Sequence, residues 1–100
     1  LTLELHDNIF VSTAAGIAYL GNESAEPGGT HNVWFGAGAP PTGEQSPIAD
    51  DPMFVDPDAL DFHLQDGSPA KNTGVAQSIA ELDFDGMPRD ANAWSIGPFQ

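Results

Sequence analysis

Asp83 and Asp85 stand two apart in the run LDFDGMPRD, with Gly86 directly after them. Hard carboxylate oxygens gathered at a glycine turn are what a calcium ion takes. Asp83, Asp85 and Asp90 are therefore the candidate metal ligands, and calcium the candidate cofactor. A full calcium loop needs further oxygens and a distal glutamate, and none stands at that spacing. The same residues also read as an Asp-Gly turn braced by a contact between an aspartate and Arg89. A second acidic group, Asp50, Asp51, Asp56, Asp58 and Asp61, surrounds Pro52 and Pro57. It reads either as a solvated rim whose carboxylates cap local amides or as another calcium rim. Three histidines, His6, His31 and His63, are enough in number for zinc, but they lack short-range ligand spacing.

Trp34 and Tyr19 are the candidate ligand-binding residues, because exposed aromatic rings offer flat faces on which a sugar can stack. Trp34 lies beside Phe35, so in a strand one of the pair faces outward and the other inward. No catalytic residue is assigned. Only Lys71 and Arg89 supply positive charge, and no nucleophile elbow, zincin motif or phosphate loop is present. Paired carboxylates for glycoside hydrolysis are available in number but not marked by spacing.

Fifteen acidic residues against two basic ones give a net charge of −13 over 100 residues. Phosphate contacts need Lys and Arg, so nucleic acid is not expected as a partner and anionic membrane surfaces are poor candidates. Divalent cations and a salty medium fit this charge. There is no cysteine, hence no disulfide framework and no thiolate metal site. No apolar run approaches membrane-spanning length, so membrane insertion is not expected. The chain starts at Leu1 rather than Met and shows no signal peptide, which reads as a mature or excised segment.

The elements that would position these residues are short strands. HDNIFV (His6 to Val11) and HNVWFG (His31 to Gly36) form a faint repeat, with Asn8 and Asn32 at equivalent places. Steps of about 20 to 25 residues suit a solenoid coil, and the distance from Asn8 to Asn32 falls in that range. Stacked Asn side chains at such corners would satisfy backbone groups from one coil to the next. A further coil is expected around Phe54, a slightly shorter step after Phe35. Strands are expected at Leu1 to Leu5, Asn8 to Val11, Gly16 to Leu20, His31 to Phe35, Met53 to Val55 and Phe62 to Leu64. Asn22 to Thr30 and Gly36 to Ser46 carry too much Gly, Pro and polar residue for strand interiors and read as loops. Helix is confined to a turn or two at Val75 to Leu82, since nine prolines break the rest.

The run from Asp51 to Gly74, DPMFVDPDALDFHLQDGSPAKNTG, is followed by LDFDGMPR and by the terminal WSIGPFQ. In that order these motifs resemble the C-terminal region of secreted bacterial right-handed parallel β-helix repeat proteins, the polysaccharide-lyase-like solenoids. The resemblance covers about half of the chain. It departs from the family pattern at Lys71 and Asn72, at Ser95 before the terminal Ile-Gly, at Pro98 and at Gln100. It implies a mainly β fold: a short right-handed parallel β-helix segment over 1–74 with projecting loops, closed by an irregular cap over 75–100. Phe84, Met87, Trp94, Ile96 and Phe99 are the expected cover of the core.

The function so implied is a non-catalytic structural and binding module at the C-terminal end of a secreted or surface protein that binds or acts on extracellular polysaccharide. Two alternatives stand beside it. One is the terminal part of a polysaccharide lyase whose catalytic coils lie upstream. The other is a small acidic oligomer that binds calcium. An uncovered first coil is an aggregation edge, so either a homo-oligomer or upstream coils stacking on the N-terminal rung is expected.

Overall fold

The computed structural model describes residues 3–12, 28–36 and 39–100. Tyr19 and the expected strand Gly16 to Leu20 lie outside the described residues. The fold is mainly β, with small sheets. Its strands are β1 (Glu4–His6), β2 (Ile9–Val11), β3 (Gly28–Thr30), β4 (Val33–Phe35), β5 (Glu44–Gln45), β6 (Phe54–Asp56) and β7 (Asp61–Leu64). A single 3-10 turn, Pro57–Ala59, is capped by the Asp56 side chain among the described residues.

The first five strands stack in parallel. β1, β3 and β5 form one sheet in that order, and β2 pairs with β4 in another. Glu4 lies beside Gly28, and Ile9 beside Val33, so the first step equals the spacing of Asn8 and Asn32. Thr30 lies beside Gln45 and Val33 beside Ile48, so the second step is much shorter. At each level the chain bends through one residue in the left-handed region: Asp7 (φ 57°), His31 (φ 59°) and Ser46 (φ 56°). Asp and His are among the residues that visit this region most readily. After the bend come Asn8, Asn32 and Pro47, then Ile9, Val33 and Ile48.

The last three make an apolar column. Val33 is fully buried and packs with Ala70 and Ile96, while Ile9, Phe35, Ile48 and Leu64 surround them. On the opposite strand face Phe10 stacks on Trp34, with ring centroids 4.2 Å apart and planes 16° from parallel. β-branched and aromatic residues in β2 and β4 suit this two-sided packing. β3 is different, since it is Gly-Gly-Thr. Gly29 has φ 125°, and a Cβ there would sit 1.8 Å from the Leu5 carbonyl oxygen. Only glycine lets the two backbones approach this closely.

Three expectations change here. Gly28–Thr30 and Glu44–Gln45 fall in the segments expected to be loops, yet both pair as strands, because neighbouring backbone rather than side-chain propensity fixes them. The third level lies at Glu44 to Ile48, not at Phe54. Parallel pairing ends at Ile48, and the segment expected to continue it to Gly74 turns back on itself. β6 and β7 pair antiparallel, Phe54 beside Leu64 and Asp56 beside Asp61. Leu60 in the left-handed region (φ 61°) closes the short connection that makes this return possible.

No helix forms at Val75 to Leu82. Ile79 is 96% exposed, so a helix there would have little apolar face to bury. The segment turns at Ala80, whose N–H reaches the Gln77 carbonyl, and Leu82 forms an antiparallel bridge with Pro88. Of the expected core cover, Trp94 and Ile96 are buried, while Phe84 (80% exposed) and Met87 (59%) are not. Phe99 is half-buried, edge-on to Phe84.

Candidate functional site

Two polar clusters stand out among the described residues. The first runs through the corners of the stack. Asn32 is fully buried, and its Oδ1 accepts from the Asn8 backbone N–H (2.9 Å) and from Asn8 Nδ2 (3.0 Å). Asn32 Nδ2 donates to the Leu5 carbonyl and to Glu44 Oε2, both at 2.8 Å. The Asn32 backbone N–H donates to Glu44 Oε1 at 3.1 Å. Each level therefore donates to a side-chain acceptor on the next, and the ladder has a direction. The expected pairing of Asn8 with Asn32 is present. What the expectation lacked is the terminus. Pro47 stands at the third corner with neither N–H nor amide, and Glu44 turns its carboxylate into the place an Asn would fill. A carboxylate only accepts, so the ladder stops there.

The second cluster lies across β7. Asp61 and His63 are two apart, hence on one face of the strand. Asp61 Oδ1 meets His63 Nδ1 at 2.6 Å, and Asp85 Oδ2 meets His63 Nε2 at 2.6 Å. The imidazole stacks on Phe99, with centroids 3.9 Å apart. Both ring nitrogens point at carboxylates, so the doubly protonated ring is favoured. The Asp85 hydrogen bond, followed by that to Asp61, raises the His63 pKa above 6.5. His63 in turn holds the Asp61 carboxyl below its usual 3.8. Neither nitrogen is left to serve as a base or a metal ligand. The cluster fastens β7 to the turn at Asp85, and its side chains are nearly half exposed, so its contribution to stability is small.

The turn that carries Asp85 also grips the last residues. Asp83 Oδ1 accepts from Met87 N–H (2.8 Å) and Oδ2 from Gln100 N–H (3.0 Å). The Gln100 bond is the main cause of a lowered Asp83 pKa. Phe84 N–H donates to the Pro98 carbonyl at 2.7 Å. Arg89 sends Nη1 to the Ser95 carbonyl (3.1 Å) and Nη2 to that of Gly97 (2.8 Å), with its guanidinium 5.0 Å from the centre of the Trp94 ring. The expected brace at Arg89 thus exists, but its acceptors are carbonyls rather than an aspartate.

Asp83, Asp85 and Asp90 each have a separate protein partner. Asp83 binds amides, Asp85 binds His63, and Asp90 Oδ1 accepts from Asn92 N–H at 2.9 Å. Among the described residues no three His, Asp or Glu side chains are grouped to hold a metal ion. Trp34 is 4% exposed with Phe10 on one ring face, which leaves that face closed to a sugar. Phe62 is more accessible than Trp34 and lies edge-on to Phe54 at 5.2 Å.

These two phenylalanines wall a pair of adjoining grooves. One, of about 580 Å³, follows the chain from Asp7 to Val11 and is bounded by Phe54, Phe62 and Gly97. The other, of about 750 Å³, extends past Val11 to Phe35 and Met53, with Asp51, Asp58 and Gln65 among its polar lining. Sequence reasoning missed the Asp61–His63–Asp85 cluster. The Asp-x-His spacing on a strand was its one local signal, because Asp85 joins from 22 residues away.

Among the described residues no helix is long and apolar enough to cross a membrane. No family model, curated protein or solved structure matches the chain.

Proposed function

We propose that this chain is the non-catalytic closing module of a right-handed parallel β-helix, from a secreted or surface protein that binds or acts on extracellular polysaccharide. The observation that carries the reading is the one-way ladder from Asn8 through Asn32 to Glu44. It runs through parallel strands in register and ends where Pro47 removes the next donor. A stack that terminates its own hydrogen bonding and then folds an antiparallel hairpin and an irregular segment against its core behaves as an end piece.

The role of the two basic residues supports the absence of catalysis. Lys71 pairs with Asp66 at 3.0 Å, and Arg89 holds the carbonyls of Ser95 and Gly97. The polysaccharide part of the reading rests on the resemblance of the motifs from Asp51 onward. The groove beside Phe62, with Asp51, Asp58 and Gln65 on its lining, is where a neutral sugar chain would lie.

One isotopically labelled sample tests both parts. Nuclear Overhauser contacts linking Leu5 to Gly29 and Val33 to Ile48 are expected, and their absence would sink the stack. Titration with neutral and acidic oligosaccharides is expected to shift Phe54, Phe62 and Gln65 for the neutral set. Shifts for neither set would remove the sugar from the proposal while leaving the stack intact.

A further inference from the structure

Among the described residues the ladder closes at one end and is open at the other. Asn8 Nδ2 donates to Asn32 Oδ1 and to the His6 carbonyl, but Asn8 Oδ1 accepts nothing from the described residues. At the next corner the same oxygen, Asn32 Oδ1, takes two donors from the level before it.

Among the described residues the strand that follows is open on the same side. Val33 N–H donates to the Asn8 carbonyl and Ser12 N–H to that of Phe35. In a parallel pair alternate residues face the same neighbour. Asn8, Phe10 and Ser12 therefore face β4, and the N–H and C=O groups of Ile9 and Val11 face away from it. β4 is the one strand partner of β2 among the described residues. The 580 Å³ groove follows this edge, with Phe54 and Phe62 as its far wall. Val11 is 44% exposed there.

What can fill the groove is set by donors and acceptors. Asn8 Oδ1, on a half-buried residue, can accept from donors placed beside it. A second copy approaching head to tail would bring its third level, whose corner is Pro47 and has no N–H to give. A second copy approaching edge to edge by a two-fold axis would present the same open acceptor rather than the donors it lacks. A strand running parallel to β2 with Asn at the corner supplies a backbone N–H and a side-chain NH2 together, as Asn8 itself does toward Asn32.

We infer that the β2 edge, from Asn8 to Val11, is a docking site for one further coil of the His-x-Asn kind, entering between β2 and the Phe54–Phe62 wall. The inference rests on the closing-module reading and names the partner of that module. Strand addition to a sheet edge derives affinity from main-chain bonds and specificity from the side chains. Here the specific contact is the Asn amide.

The test uses the 15N-labelled chain and an unlabelled synthetic peptide with the chain's own Leu3 to Val11 sequence, LELHDNIFV. Amide hydrogen exchange at Ile9 and Val11 is followed with and without the peptide, and molar mass is read by light scattering. In the free monomer both amides exchange fast. With peptide they slow by about tenfold or more, the factor that corresponds to roughly 1.4 kcal/mol. A peptide with Asp in place of its Asn gives much weaker protection, because it lacks the NH2 donor and places a carboxylate near Asn8 Oδ1.

Three results overturn the inference. Protection at Ile9 and Val11 in a free monomer means the chain covers its own edge. Protection that rises with a dimer mass means that a second copy is the occupant. Equal protection by the Asn and Asp peptides, or none by either, removes the ladder as the recognition element. Each of these leaves the contacts of Leu5 with Gly29 in place, so the closing-module reading fails or stands separately.

Discussion

In the stack, strands of two or three residues suffice, because alternate backbone groups find partners on a neighbouring level and the bends recur at equivalent places. From Gln65 onward the chain forms no strand, and it is held by turns and by side chains that reach backbone groups. Ser68 binds the Pro52 carbonyl, Thr73 that of Pro69, and Arg89 those of Ser95 and Gly97. The two regions also differ in what they hide. The corner amide of Asn32 is fully buried, whereas Ile79, Phe84 and Met87 are largely exposed. Repetition lets few residue types order many backbone groups. The irregular region needs a separate device for each bond, and no single device carries much.

The same substitution made in both regions should show this most strongly. Gly29→Ala puts a Cβ against the Leu5 carbonyl with no side chain free to yield, at φ 125°. A loss of about 4 kcal/mol or more is expected, enough to abolish the cooperative transition in a small domain. Gly86→Ala meets no atom within 4 Å and has only its φ of 79° to overcome, so about 1 kcal/mol is expected. Urea midpoints of the two variants make the comparison. Similar losses would mean that the stack is no tighter than the turn.

Asn32→Ala comes next. It removes the acceptor of two Asn8 donors and leaves the Leu5 carbonyl and a Glu44 oxygen without their partner. Buried groups left unpaired cost about 1–3 kcal/mol each before relaxation, and a net loss of about 3 kcal/mol is expected. Asn8→Ala, at the open end, removes donors alone and should cost about 1 kcal/mol. If the order reverses, the ladder is not directional in the sense argued above.

The smallest effect belongs to the His63 cluster. His63 binds its proton more tightly in the folded chain, so its contribution is fully present below pH 6.5 and fades as pH rises through its raised pKa. Asp61 is shifted down, so its contribution is present above pH 3.8 and fades as pH falls through the lowered value. The cluster's own contribution to the melting temperature should therefore be largest between about pH 4 and pH 6.5. His63→Gln should flatten the alkaline side by a degree or two at most, since the group is exposed. A profile unchanged by His63→Gln would show that the fastener is slack.

How far all this was legible depends on whether the information was local. Asn8 and Asn32 announce themselves because equivalent corners need the same amide, and the length of the first step follows from them. The third level was hidden because its corner is Pro47 and its ladder group is the preceding Glu44, so no repeat marks it. β6 and β7 have strand composition whichever way they pair, and their antiparallel return depends on Leu60 adopting a left-handed turn. Asp83 and Asp85 were legible as a turn. Their partners, Gln100 and His63, were not, because nothing in a carboxylate's neighbours names the donor that the fold will deliver.

Asp7 has a bearing on the order in which the molecule assembles. Its Oδ1 accepts from the Val75 N–H, 68 residues away, and its carbonyl accepts from the Gly97 N–H. The levels of the stack pair neighbours close in sequence, and their loops can shut as the chain emerges from a ribosome. The Asp7 bend, though made early, waits for residues far along the chain before its Oδ1 and its carbonyl find their donors. Closing so long a loop is slow. The earliest of the three described corners is thus among the last to be locked, and a chain halted before Gly97 would hold paired strands with that corner still loose.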